Sequence, residues 1–229
     1  MFETIEPLSA QQHKSLRFQP ARDYGFARGL QVAPLAIREV FDAARCFPVV
    51  FPPGDDPNPH ALLGLDRDSN AFVDADGRWL ADYVPAHVRR YPFILQRTQT
   101  DGTYNLALDP RAPQFQGADG EALFEADGSL GPPAERARDF LQTFQQEIEQ
   151  TRQLFQPVVQ AGVLADRQLK ARGADGQERR VQGFRTVDET ALRELDDKTF
   201  LAWRDNGVLG ALYACLLSLR NVHRLTPAS

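Results

Sequence analysis

Apolar residues recur with two different spacings along the chain. In the first half they come as short runs closed by turn formers: Phe47-Pro48-Val49-Val50-Phe51, Ala61-Leu62-Leu63-Gly64-Leu65 and Phe93-Ile94-Leu95 each predict a buried strand. Tyr24–Ala27 and Gln31–Leu35 predict a further short strand that ends at a proline. In the second half the spacing is helical. Pro132 to Gln160 is the longest helix candidate, with Phe140, Leu141, Phe144, Ile148 and Phe155 as its apolar stripe and Gly162 as its stop. Ala36 to Arg45 predicts an earlier helix that buries Ile37, Val40, Phe41 and Ala44 on one face.

The remaining elements follow from turn chemistry. Residues 1–20 read as an extended lead-in, and residues 52–59, rich in proline and aspartate, as a loop. Asp101-Gly102 turns the strand Phe93–Arg97 back into Tyr104–Leu108. Asp119-Gly120 and Asp127-Gly128 mark two further turns, and Gln168 to Arg185 reads as a hairpin about Asp175-Gly176. Asp188 caps a short helix carrying Leu192 and Leu195; Asp196 or Asp197 caps another that Asn206-Gly207 closes. Val208 to Leu225 is apolar nearly all round, which suits a core helix or a subunit interface. The fold class is α+β, an antiparallel or mixed sheet with packed helices and an apolar C-terminal helix. One domain over residues 1–229 is expected, with a sheet-rich part at 1–130 and a helix-rich part at 131–229.

Asn70 to Gln96 is the densest stretch. Asn70–Val73 predicts a strand, Asp74-Ala75-Asp76-Gly77 a tight turn, and Arg78-Trp79 the returning strand. Val84–Arg90 then predicts a short helix, with Pro85 in its first turn and Pro92 beyond its end. Arg89 and Arg90 fall at this junction. One reading is structural: arginines in a last turn meet orphan carbonyls while their stems cover apolar surface. The other is a fork of donors for a carboxylate or phosphate, walled by Trp79, Tyr83 and Tyr91. Successive helical residues differ in direction by about 100°. One arginine is therefore expected to point inward onto a carboxylate, and the other to face a cleft beside Trp79. His87 reads either as a packing residue or as a general base of that site.

Composition narrows the classes. The 229 residues are 42% hydrophobic and 25% charged, as in an ordinary globular protein, and long enough for a substantial core. A net charge of −5 argues against a nucleic-acid or anionic-membrane binder. MFETIEPLSA has neither basic nor apolar signal features, and Val208–Leu219 is too short to span a bilayer, so a cytoplasmic location is expected. Cys46 and Cys215 sit in apolar segments and read as free core thiols.

Recognised chemical motifs are tested and set aside. Asp66-Arg67-Asp68-Ser69-Asn70 begins like a calcium loop, but Ala71 stands where the turn needs glycine and Gly77 where a bidentate glutamate belongs. His13, His60, His87 and His223 have no ligand spacing, so no metal is expected. No phosphate loop, dinucleotide fingerprint or nucleophile elbow occurs, so no catalytic residue and no cofactor is assigned.

Thr4–Ser9, Ala61–Leu65, Phe72–Trp79, Tyr83–Ala86, Arg89–Phe93, Gly183-Phe184, Val187–Glu189 and Leu217–Asn221 together resemble the bacterial SapC family over nearly the whole chain. The family takes its name from a surface-layer locus, and its members often lie near genes for TonB-dependent receptors and tryptophan-halogenase-like flavoproteins. The resemblance implies an accessory or binding protein of a surface-layer or nutrient-uptake pathway and supplies no catalytic residues. The expected site comprises Trp79, Tyr83, His87, Arg89, Arg90 and Tyr91. The expected partner is a protein or a small anionic ligand, with a homo-oligomer through the C-terminal helix as a further expectation. The alternative is an enzyme acting on a carboxylate or phosphate compound at the arginine pair.

Overall fold

The computed structural model describes residues 1–20, 23–98, 103–117, 119–172 and 178–226. The lead-in is more structured than its composition suggests. It forms β1 (Glu6–Pro7), a helical turn α1 (Ala10–His13) capped by Ser9, and β2 (Arg17–Phe18). Gly25–Ala27 is a 3-10 turn rather than a strand, and β3 is Val32–Pro34. The predicted helix at Ala36–Arg45 starts as a 3-10 turn, Ile37–Glu39, and continues as α2 (Val40–Cys46). Its buried face is Val40, Ala43 and Cys46; Phe41 is 54% exposed, contrary to the face read from spacing. The phase moves because the first turn is wound at three residues rather than 3.6.

β4 (Val49–Val50) and β5 (His60–Leu62) follow, separated by the proline loop. The Asp74–Gly77 turn forms as expected, closed by Val73 bridging Trp79 and by Gly77 N–H donating to the Asp74 carbonyl. Gly77 adopts φ +80°, and a Cβ there would collide with the Asp23 carboxylate. The short helix is α3 (Ala86–Arg89), with Pro85 just before it, and β6 (Phe93–Arg97) pairs with β7 (Tyr104–Leu108). The Asp101-Gly102 and Asp175-Gly176 turns lie outside the described residues. A 3-10 turn at Pro113–Phe115 and β8 (Glu121–Ala122) complete the first half.

α4 runs from Pro132 to Gln160, and Gly162 at φ +69° ends it. β9 (Leu164–Arg172) and β10 (Glu178–Val187) make the long hairpin, which starts earlier than its composition indicated. Asp188 caps α5 (Glu189–Arg193), leaving Leu195 beyond that helix, and Asp196 caps α6 (Asp197–Asp205). The apolar C-terminal segment is α7 (Val208–Ser218), and its last turns tighten into 3-10 form over Leu219–Leu225.

Among the described residues the strands form four small antiparallel sheets, ordered β1-β7-β6, β3-β5-β4, β2-β8 and β9-β10. The fold is α+β. Two apolar clusters hold these sheets. The larger gathers Phe47, Phe51, Leu62, Phe155, Trp203 and Leu212, so that α2, α4, α6 and α7 close over β3-β5-β4 and the hairpin. The smaller gathers Tyr91, Phe93, Leu108, Phe115, Leu123 and Leu141 around β1-β7-β6. α4 serves both: Ala134 and Leu141 belong to the smaller cluster, Phe155 and Val158 to the larger. Cys46 and Cys215 are buried free thiols, and burial pushes the Cys215 thiol up to about 12.

Candidate functional site

α3 is short, and its placement rests on a buried carboxylate. Glu39, 6% exposed, accepts hydrogen bonds from Tyr83 Oη at 2.6 Å, Ala86 N at 2.7 Å and Ala36 N at 3.0 Å. Three donors aimed at one anion satisfy it without a cationic partner. Ala86 is the first residue of α3, so Glu39 ties the start of that helix to the 3-10 turn before α2. Burial, and next the Glu39 carboxylate, raise the Tyr83 hydroxyl above its ordinary range, which keeps it a donor. Trp79 completes the support: its indole N–H donates to the Tyr83 carbonyl at 2.8 Å, and its ring packs against Tyr24, Phe47 and Phe72.

The two arginines diverge from the end of this anchored helix. Arg89 Nε donates to the Val84 carbonyl at 3.0 Å, and its guanidinium lies 5.4 Å from the centre of the Phe140 ring on α4. Arg90 points inward over Phe2, 5.6 Å from that ring centre. Its Nε is buried with no hydrogen-bond partner, and a terminal nitrogen reaches His87 Nε2 at 3.5 Å, the outer edge of a hydrogen bond. The inward arginine exists, but the carboxylate expected for it does not: among the described residues no acid lies within ion-pair distance of Arg90. The nearby buried acids are engaged elsewhere, Glu39 as above and Asp109 with Glu3 N, Arg111 N and the Tyr91 hydroxyl. Burial accordingly lowers the Arg90 pKa from its ordinary value.

His87 shares this cationic surrounding. Burial first, then Arg90, His60 and the Met1 amino group, push its pKa from 6.5 to about 3, so its imidazole is neutral at pH 7.

Between α3, β6 and the first turns of α4 lies a cleft of about 170 Å³. Arg89, Arg90 and Arg136 line it, with Tyr91, Phe93 and Phe140 as walls. Arg136 also pairs with Glu121 at 2.8 Å on the exposed side. The arrangement offers cations beside aromatic faces in a partly dehydrated setting, where a guanidinium binds an anion more strongly than in water.

Of the six residues expected in the site, Arg89, Arg90 and Tyr91 line this cleft; Trp79 and Tyr83 stand behind α3 and support its start, and His87, within α3, is not among the cleft's lining residues but meets Arg90. The cleft Arg89 faces is therefore beside Phe140, not Trp79. Arg136 and Phe140 did not emerge from the sequence as site residues. Their signal was present: four residues apart on a helix, they share one face of α4.

A family model, SapC, matches residues 8–225. The chain belongs to the SapC family. No curated protein and no solved structure matches it. In this SapC chain the matched region includes every residue of the arginine cleft and of the Glu39 anchor. Among the described residues, no helix is long and apolar enough to cross a membrane, and no group of three or more His, Cys, Asp or Glu residues is placed to hold a metal ion.

Proposed function

We propose that this SapC-family chain is an accessory binding protein that holds a small anion, a carboxylate or phosphate group, in the cleft of Arg89, Arg90 and Arg136. One observation carries the reading: Arg90 is partly buried, its Nε is fully buried without a partner, and among the described residues no carboxylate meets it. A partly desolvated guanidinium without a counter-charge is unfavourable, and an incoming anion offsets that cost. The aromatic walls favour an anion attached to a flat or apolar body, within the limits of a small cavity. Binding is favoured over turnover because the cleft is lined by cations and rings, while Tyr91, the hydroxyl among its described lining residues, is committed to Asp109 at 3.4 Å. A place as an accessory protein in a surface-layer or nutrient-uptake pathway is the role that membership of this family supports.

Calorimetric titration with inorganic phosphate, benzoate and phenylacetate, against benzamide as the uncharged control, tests this reading. At least one anion is expected to bind, benzamide is not, and Arg136→Gln or Arg89→Gln should weaken the anion about tenfold, the loss of one charge-assisted hydrogen bond. Equal binding of benzamide and benzoate, or no anion binding at all, would overturn it.

A further inference from the structure

A second cavity, of about 210 Å³, lies between the β3-β5-β4 sheet and β10, away from the arginine cleft. Its wall is mainly apolar, formed by Val50, Phe51, Leu62 and Phe184, and among the described residues no Asp, Glu, Lys or Arg lines it. The lip is a β-bulge. Val181 pairs with Leu169 and Phe184 with Arg167, so Gln182 and Gly183 together oppose Gln168 alone. Gly183 takes φ +88° there, a conformation that side chains disfavour. Bulges of this kind re-aim side chains and are common beside binding sites.

His60 brings an unpaired ring nitrogen to the residues that line this cavity. Its Nδ1 lies 3.0 Å from the Asn58 carbonyl, which can only accept, so the ring carries its proton on Nδ1. Nε2 is then a lone-pair acceptor, and among the described residues it has no partner. The two amides at the rim are each partly engaged: Gln31 donates to the Leu65 carbonyl, and Gln182, an exposed residue, accepts from Gln168. Burial lowers the His60 pKa, which keeps the ring neutral and Nε2 an acceptor at pH 7.

We infer that this cavity binds a small, uncharged, largely apolar molecule carrying one hydrogen-bond donor, a hydroxyl or ring N–H, and that His60 Nε2 accepts from it. A charged ligand would meet no counter-charge in the wall, and a ligand without a donor would displace water from the His60 acceptor without replacing its hydrogen bond. The inference is independent of the arginine cleft and stands or falls separately.

The test is a ¹H–¹⁵N NMR titration of the full chain with indole and phenol, against N-methylindole and toluene, which have the same shape class without the donor. Indole or phenol should bind about fivefold or more tightly than its control, the factor that one net hydrogen bond supplies. Amide shifts should centre on Val50, Val181 and Gly183. The ratio should fall to near one in His60→Leu. Should that variant not fold, the wild-type His60 Nε2 resonance decides alone: it moves with indole and stays with N-methylindole. No binding, equal binding of each pair, or shifts centred elsewhere would overturn the inference.

Discussion

Tyr83 donates its hydroxyl to the buried carboxylate of Glu39 at 2.6 Å, across 44 residues of sequence. The contact joins the 3-10 turn before α2 to the segment leading into α3, and with the Ala86 N–H it determines where α3 starts. A hydrogen bond to a charged group contributes roughly 1.5–3 kcal/mol. Tyr83→Phe should lose about that much stability in urea denaturation, and Glu39→Ala more, since three donors lose their acceptor. A Tyr83→Phe variant as stable as the parent would show that Glu39 is satisfied without it.

The half-buried His87 gives a pH dependence with a definite sign. His87 is held neutral, with its pKa lowered from 6.5 to about 3 by burial and then by Arg90. In the unfolded chain it binds a proton as pH falls below about 6.5, whereas in the folded chain it does not. The stabilisation is thus complete above that value and is lost on acidification toward about 3, by at most ~1.4 kcal/mol per pH unit. His60 shifts in the same direction. Melting temperature should therefore decline from pH 7 to pH 5, and less steeply in His87→Asn. An unchanged slope in that variant would place the proton uptake elsewhere.

The two phenylalanines Phe155 and Phe41 both fall on helix faces that the apolar spacing assigns to the core. Phe155 is fully buried against Phe51, with ring centres 5.8 Å apart, whereas Phe41 is 54% exposed. Phe155→Ala should cost about 3–5 kcal/mol. Phe41→Ala should cost under about 1 kcal/mol, as for a surface substitution. Chemical denaturation of the two variants side by side checks the pair; similar losses would mean that Phe41 is covered in solution.

These residues also show how far the sequence was legible. Helix limits marked by strong chemistry were readable: Pro132 at the start of α4, Gly162 after it, Asp188 and Asp196 as caps, Gly207 as a stop. The Asp74–Gly77 turn was readable for the same reason, because a positive φ restricts the residue to glycine. The face of α2 was not, since a leading 3-10 turn shifts its phase. Nor was the division into four small sheets, because strands of two or three residues are defined by partners far away in the chain. In the site, the divergence of Arg89 and Arg90 followed from helix geometry. Their surroundings did not. Glu39 looks like any helical glutamate until Tyr83 folds over it, and Arg136 faces the cleft only because α4 crosses β6.

The central claim is that Arg90 is kept for an anion and not for the fold, and Arg90→Met tests it most directly. Methionine retains much of the stem's volume without the charge. Replacing a partly desolvated cation that has no counter-charge by an apolar side chain removes a desolvation cost, whereas removing one member of a buried ion pair costs about 3–5 kcal/mol. Urea denaturation and calorimetric titration with phosphate and benzoate are to be run on Arg90→Met and the parent together. The account predicts a variant at least as stable as the parent, within about 1 kcal/mol, that no longer binds the anion. A variant destabilised by the full ion-pair cost, or one that binds the anion as the parent does, would contradict it.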